Sequence, residues 1–297
     1  MKPNAPALSR RTSISSGFGK RSCEPFVTDD ILPNSYGRLT AAWRSLRGTA
    51  GVRLREIACV GAPRTLFLAE WGDPRRPVVA LSAGVHGDEP AGPWALLSIV
   101  RDGLLDPRFS YRIWPCTNPT GFEAGTRCNA EGADVNRSFG RGGNTPEARA
   151  MLAANRDRAF ALAIDLHEDH EAEGFYLYET APSGSRSRFA RPVTAAIDAA
   201  GFPLQRFTPE FELGPPGSEV AQTRSPGAVV VDAGREAPFF GPALPLGLVL
   251  VRRAAGCALT FETPRARPAA ERLEMHRVAV VESLRRLDGE SRWSPSS

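Results

Sequence analysis

His86, Gly87, Asp88 and Glu89 follow closely on an apolar run, Val78-Val79-Ala80-Leu81-Ser82-Ala83. An imidazole and a carboxylate three residues apart, at the end of a strand, can hold one metal ion from a single loop. A second histidine from elsewhere would complete a His₂Glu zinc site that keeps a fourth position for water, as hydrolytic zinc enzymes require. On spacing alone, the same residues also suit a capped helix start with His86 in ordinary loop hydrogen bonds. Ala163-Ile164-Asp165-Leu166-His167 repeats the design, an apolar strand running into a histidine, so two of the four histidines occupy equivalent strand ends. Loops at the carboxyl ends of parallel strands are where open α/β sheets place their ligands. The segment His167-Glu168-Asp169-His170 is not the helical HExxH zinc signature, because its histidines are three apart rather than four. His167 is the expected third ligand, His170 a nearby polar residue, and His276 a histidine without chemistry.

Between the two histidine segments lies Arg127-Cys128-Asn129-Ala130-Glu131-Gly132-Ala133-Asp134-Val135-Asn136-Arg137. Such a run reads either as a solvated loop, with Asp134 and Asn136 making turns, or as a carboxylate site. An Asn-Arg pair near a metal suits the second reading, since the guanidinium offers a planar fork and the amide a further donor. In Ala258-Leu259-Thr260-Phe261-Glu262 a largely apolar strand ends in a carboxylate. Glu262 is therefore either the catalytic base or half of a structural ion pair with an arginine.

The elements that must position these residues follow from hydrophobic periodicity. Val52–Val60 and Arg64–Trp71 read as a hairpin, Val78–Ala83 as a buried strand, and Glu89–Arg101 as a helix with Pro90 in its first turn. A strand at Ser110–Cys116, a Gly/Asn-rich loop from Thr117 to Asn144, a helix from Thr145-Pro146-Glu147 and a strand at Ala161–Leu166 come next. After Gly174–Glu179 and a helix around Arg188–Ala200, eight prolines and six glycines interrupt residues Pro203 to Gly247. That stretch is expected to be an irregular binding loop or lid. Leu248–Val251 and Cys257–Phe261 read as strands and Ala269–Leu287 as a closing helix. The alternation predicts one α/β domain with a central mixed, mostly parallel sheet flanked by helices. Its expected limits are residues 35–290, between a basic tail (1–34) and a short C-terminus (291–297).

The formal charge of +4 does not predict nucleic-acid binding. Residues 1–22 hold five basic residues and no acid, leaving 32 basic against 33 acidic residues in the remainder. A nearly neutral folded part is unsuited to a basic groove. No apolar run approaches the roughly 20 residues of a membrane span. Five scattered cysteines without a CxxC pair fit reduced thiols in a cytoplasmic protein.

Taken in order, Gly84-Val85-His86-Gly87-Asp88-Glu89, Asn118-Pro119-Thr120-Gly121, Arg127, Asp134-Val135-Asn136-Arg137-Ser138-Phe139, Asp165-Leu166-His167-Glu168 and Thr260-Phe261-Glu262 resemble the zinc carboxypeptidase superfamily, the M14 metallopeptidases. The likeness is greatest to the compact bacterial branch that includes murein peptide amidases, and more distant to the succinylglutamate desuccinylase and aspartoacylase deacylases. It spans about residues 50–290. The resemblance implies one zinc ion per chain on His86, Glu89 and His167, with Glu262 as general base and then acid. It further implies that Arg127 polarises the scissile carbonyl, that Asn136 and Arg137 hold a substrate carboxylate, and that Asp134 orients His86. The family's peptide-trimming carboxypeptidases carry a tyrosine in the loop before the catalytic glutamate. Here no tyrosine follows Tyr178, and Phe239-Phe240 is expected in that wall. The expected function is hydrolysis of an amide or peptide bond beside a free carboxylate, the substrate being a small peptide. The alternatives are an N-acyl amino acid deacylase and, from another class, a non-catalytic metal- or peptide-binding protein on the same fold. A peptidase needs an open groove between Pro203 and Gly247, a deacylase only a small closed pocket.

Overall fold

The computed structural model describes residues 32–48, 51–208, 211–253 and 256–287. Residues 1–31 of the expected tail and all of 291–297 lie outside these. In chain order come α1 (Tyr36–Ser45), the antiparallel hairpin β1 (Arg53–Ile57) and β2 (Leu66–Trp71), β3 (Val78–Ala83), α2 (Ala91–Arg101), β4 (Ser110–Trp114), α3 (Pro119–Ala124) and α4 (Pro146–Ala154). There follow β5 (Leu162–Asp169), β6 (Tyr176–Ala181), α5 (Ala190–Ala199), β7 (Gln222–Ser225), β8 (Ala228–Asp232), α6 (Ala233–Phe240), α7 (Leu246–Arg253), β9 (Ala258–Pro264) and α8 (Ala269–Arg286). The strands form one mixed nine-stranded sheet in the order β1-β2-β4-β3-β5-β9-β6-β8-β7. This is the expected α/β single domain. Its centre is parallel, β3 pairing with β4 and β5, and β5 with β9. The carboxyl ends of these four strands therefore share one edge, and the histidine and glutamate segments issue from three of them.

The sheet is covered on both faces, which is why β3, β4 and β5 are almost wholly buried. Helices α1, α2, α5 and α8 share one apolar core, while α4 and α7 pack into a second on the opposite face. Helix α2 is buried nearly all round and carries no side-chain cap of its own. Its free end is met instead from β5, where the Glu168 carboxylate accepts the Ala91 N–H at 2.5 Å. No described helix is long and apolar enough to cross a membrane, and the four described cysteines are free thiols.

Three expectations are corrected. The stretch Pro203–Gly247 is not irregular: it contains β7, β8, α6 and the start of α7. Its prolines and glycines sit mostly at the turns, and Ala228–Asp232 is held as a strand between β6 and β7. Leu248–Val251, expected as a strand, lies inside α7. Four consecutive apolar residues carry no period, and this run is buried all round between the sheet and its neighbours. The loop from Thr117 to Asn144 opens with α3, started by Asn118, whose side chain accepts the Gly121 N–H at 2.9 Å, and ended by left-handed Gly125. In addition, β5 continues to Asp169, so His167 stands within the strand, paired across to β9.

The turn that carries His86 and Glu89 is pressed against α3. A Cβ on Gly87 would fall 1.9 Å from the Gly121 carbonyl carbon, a clash with backbone that no side-chain motion relieves. Gly87→Ala is expected to cost about 3 kcal/mol in urea unfolding by overpacking. An unchanged midpoint would contradict this packing.

Candidate functional site

His86 and His167 meet over one carboxylate. His86 Nδ1 lies 2.5 Å from Glu89 Oε1 and His167 Nδ1 lies 3.0 Å from Glu89 Oε2, with the ring centroids 5.0 Å apart. All three side chains are buried, and one donor atom from each falls within 4.8 Å of the others. A divalent ion about 2.1 Å from each donor fits such a set. The far nitrogens face outward onto further carboxylates. His167 Nε2 is 3.0 Å from Asp165 Oδ2, and Asp165 Oδ1 accepts the Ser82 hydroxyl at 2.7 Å. His86 Nε2 lies 3.4 Å from Asp134 Oδ1. The Asp165 partner fixes which His167 nitrogen is left free to bind a metal, while Asp134 stands near His86 Nε2 without closing a hydrogen bond to it.

The local field also suits a cation. Burial works against a charged His167 ring, but Asp165, Glu89 and Glu262 outweigh it and hold the ring well above its ordinary pKa. Burial likewise works to raise the Glu89 carboxyl, and the two imidazoles overcome it, holding Glu89 below the glutamate range. The carboxylates that draw protons onto these rings would draw a dication to the same place. Glu89 is braced as well, its Oε2 accepting the Glu168 N–H at 3.1 Å. The Glu168 side chain is locked beneath by Arg272 and by Arg265 at 3.4 Å.

Strand register places the remaining carboxylate. His167 on β5 pairs with Glu262 on β9, which pairs with Tyr176 on β6; one step back, Asp165, Thr260 and Tyr178 form the next row. Alternate residues share a face, so both rows look onto the same cavity. Burial pushes the Glu262 carboxyl well above the ordinary range, with His167 opposing and Glu89, Asp169 and Asp165 adding to the rise. Among the described residues no arginine is ion-paired with it, so the structural pair that was the other expectation for Glu262 is not formed.

The cavity has a volume of about 350 Å³ and is lined by the three candidate ligands, Glu262, Arg127, Asn136 and Arg137. Arg127 grips Asp134 through Nε at 3.1 Å and Nη2 at 2.9 Å, and its Nη1 lies 3.4 Å from His86 Nδ1. Asp134 Oδ1 also accepts the Asn136 N–H at 2.9 Å, which sets the turn carrying Asn136 and Arg137. The Asn136 amide oxygen accepts the Leu246 N–H at 3.1 Å, tying this loop to the start of α7. The Arg137 guanidinium lies 5.5 Å from the Phe240 ring centroid.

Every residue singled out from the sequence for the site thus reaches this cavity or, as with Asp134, touches a residue that does. His170 is exposed at the rim, 3.5 Å from Asp88. His276 is a core histidine, 3.3 Å from the Thr263 hydroxyl, and burial pushes it down to about 3. The expected Phe239-Phe240 wall is half formed, for Phe240 lines the cavity while Phe239 is 40% exposed. Sequence reasoning missed Asp165, Tyr176, Tyr178 and Glu236. Asp165 was signalled by its place two residues before His167, on the same strand face. Glu236 had no such signal, because the helix that carries it lies in the stretch expected to be irregular.

Residues 75–209 match the family model of the succinylglutamate desuccinylase/aspartoacylase catalytic domain. A search of curated protein sequences gives no match. Among solved structures, the chain is similar to a candidate metallopeptidase of Shewanella denitrificans at 22% identity and a TM-score of 0.66, covering 86% of this chain and 91% of that one. A metallo-carboxypeptidase of Pseudomonas aeruginosa, in complex with (2-guanidinoethylmercapto)succinic acid, is similar at 17% identity and a TM-score of 0.61, covering 88% and 71%. A succinylglutamate desuccinylase/aspartoacylase of Rhodobacter sphaeroides follows at 18% identity and a TM-score of 0.50, covering 80% and 66%. At these identities the structural likeness is one of fold. The family model belongs to the branch that the motifs resemble more distantly, and its span includes His86, Glu89 and His167. Residues 75–209 of this chain are thus similar to the succinylglutamate desuccinylase/aspartoacylase catalytic domain, and they include the His-Glu-His candidate metal site.

Proposed function

We propose that the protein is a zinc-dependent hydrolase that cleaves an amide or peptide bond adjacent to a free carboxylate. The observation that carries this is the placement of Glu262 beside His167 in register, in the cavity that Asn136 and Arg137 also line. Zinc held by His86, Glu89 and His167 would supply Lewis acidity toward water and the scissile carbonyl. Glu262 takes a proton from the attacking water as its oxygen bonds to the carbonyl carbon, and returns that proton to the nitrogen as the C–N bond breaks. Burial raises the Glu262 carboxyl, the direction that favours taking the proton from water. Arg127 donates to the oxygen on which negative charge develops, while Asp165 holds the His167 imidazole in one tautomer. Asn136 and Arg137 bind the substrate carboxylate and so fix which amide reaches Glu262.

Within this reading, N-acyl amino acids compete with small peptides as substrates. The match of residues 75–209 and a cavity of about 350 Å³, walled by α6 and α7, favour the deacylase form. Zinc-loaded protein assayed against dipeptides, cell-wall tripeptides and N-acyl amino acids separates the two. Hydrolysis of none of them would leave the non-catalytic binding protein as the better reading. For whichever substrate is cleaved, converting its free carboxylate to an amide is expected to lower kcat/KM about 100-fold through loss of charge-assisted hydrogen bonds. Indifference to amidation would remove Asn136 and Arg137 from this role.

A further inference from the structure

Glu236 is a buried carboxylate of the cavity that amide hydrolysis leaves unused. It sits on α6, is only 5% exposed and lines the cavity. Two other buried carboxylates, Glu168 and Glu179, are well supplied. Glu168 has Arg272, Arg265 and the Ala91 N–H, and Glu179 accepts from Ser187 and from the backbone of Arg188, Phe189 and Ala190. Glu236 receives one donor, Gln222 Nε2 at 2.8 Å to Oε1, and among the described residues no arginine is ion-paired with it. Gln222 is itself held 3.2 Å from the Leu213 carbonyl and 3.3 Å from the Ser218 hydroxyl, so it fixes the Glu236 side chain in place. Burial raises the Glu236 carboxyl, and the Gln222 hydrogen bond only partly counters this. A buried carboxylate without a cation is costly to keep, which makes one aimed into a substrate cavity informative.

Its position relative to the carboxylate anchor is defined by α6. Glu236 and Phe240 are four residues apart on one helix face, roughly 6 Å along the axis. Phe240 is the ring beside the Arg137 guanidinium, 5.5 Å away. A substrate carboxylate held at Asn136 and Arg137 therefore shares one cavity with Glu236, with Phe240 between the two as a contact of Arg137 on the same helix as Glu236. Phe240 and Leu248 offer apolar surface for an alkyl stem, and Tyr178, Thr180 and Thr260 offer polar groups around its end.

We infer that Glu236 is a specificity site for a cationic side chain, and that the substrate is an amide of a lysine- or arginine-like amino acid. The inference rests on the reading of this cavity as the substrate site. The carboxylate of that residue meets Asn136 and Arg137, and its ammonium or guanidinium pairs with Glu236. A neutral side chain leaves Glu236 unpaired and an acidic one meets like charge, so the same residue selects against both.

The test compares binding with cleavage. N-acetyl-lysine, N-acetyl-arginine, N-acetyl-norleucine and N-acetyl-glutamate are titrated calorimetrically into zinc-loaded wild-type protein and into E236Q, and the same compounds are assayed for hydrolysis. The lysine and arginine compounds are expected to bind wild-type protein 10- to 100-fold more tightly than norleucine, the range of a charge-assisted hydrogen bond. E236Q, which retains an acceptor for Gln222, is expected to erase that advantage, and E236R to shift preference toward glutamate. Equal affinity for lysine and norleucine in the wild type, including binding of neither, overturns the assignment, and so does an advantage that persists in E236Q. The wild-type comparison decides the matter even if E236Q fails to fold. Selective binding without hydrolysis keeps Glu236 as the cation site and refutes the deacylase form; hydrolysis without selectivity does the reverse.

Discussion

Glu262→Gln is expected to leave the protein folded and zinc-loaded while lowering turnover by about 10³- to 10⁴-fold, at the upper end of what a positioned general acid–base supplies. The change is isosteric and removes only the ability to take and return a proton. Two features make a large loss the expected result. The His167–Glu262 pairing across β5 and β9 sets the carboxylate beside the candidate metal donors by strand register. Burial with Glu89, Asp169 and Asp165 nearby raises its proton affinity, a property the amide lacks altogether. Steady-state kinetics with whichever substrate the screen identifies, alongside metal analysis of the same preparation, is the measurement. A variant with full zinc and wild-type turnover would refute Glu262 as the base.

The second large effect concerns the metal itself. Wild-type protein is expected to hold close to one zinc per chain, and His86→Ala to hold almost none after dialysis against a weak chelator. Two donors of three remain in that variant, and the lost ring is one of only two imidazoles that the buried Glu89 faces. Zinc is expected to stabilise the wild type by about 4 kcal/mol at a thousandfold excess over Kd, and His86→Ala not at all. Thermal unfolding with and without zinc reads this directly, independently of any substrate. A metal-free protein that is fully folded and active, or an equal zinc-induced shift in Tm for wild type and variant, would sink the assignment.

The metal half of the site was legible because chemistry and secondary structure coincide there. His86 and Glu89 follow a buried strand, His167 ends an apolar run, and Glu262 closes another, so periodicity alone put them at neighbouring strand ends. For Asn136 and Arg137 the residues themselves left a solvated loop or a carboxylate site open, and the resemblance favoured the second; the structure shows that both line the cavity. The sheet was readable where strands are long and apolar, as in β3 and β5. It was not readable where packing overrides local signal. Leu248–Val251 is apolar at every position, and only the absence of a strand partner together with burial on all sides makes it helical. Strand β8 hides among prolines and glycines because it is defined by pairing with β6 and β7, information that resides in distant residues. Glu236 inherits that illegibility, for a glutamate on an unrecognised helix looks like any surface acid.

The cavity is assembled from two tracts of chain. Residues 75–209 supply the three candidate metal donors together with Arg127, Asn136 and Arg137, whereas Glu236, Phe240 and Leu248 come from α6 and α7 beyond that span. The hydrogen bond from Leu246 N–H to Asn136 is one of the ties between them. Under the proposed function, the cradle for the ion and the carboxylate anchor come from the first tract, and the base Glu262 and the cation site Glu236 from the second. If Glu236 selects the side chain as proposed, divergence in α6 and α7 would retune which side chain is accepted without rebuilding the candidate ion cradle, and grafting those two helices from a relative would carry a new preference onto the same carboxylate at Glu262.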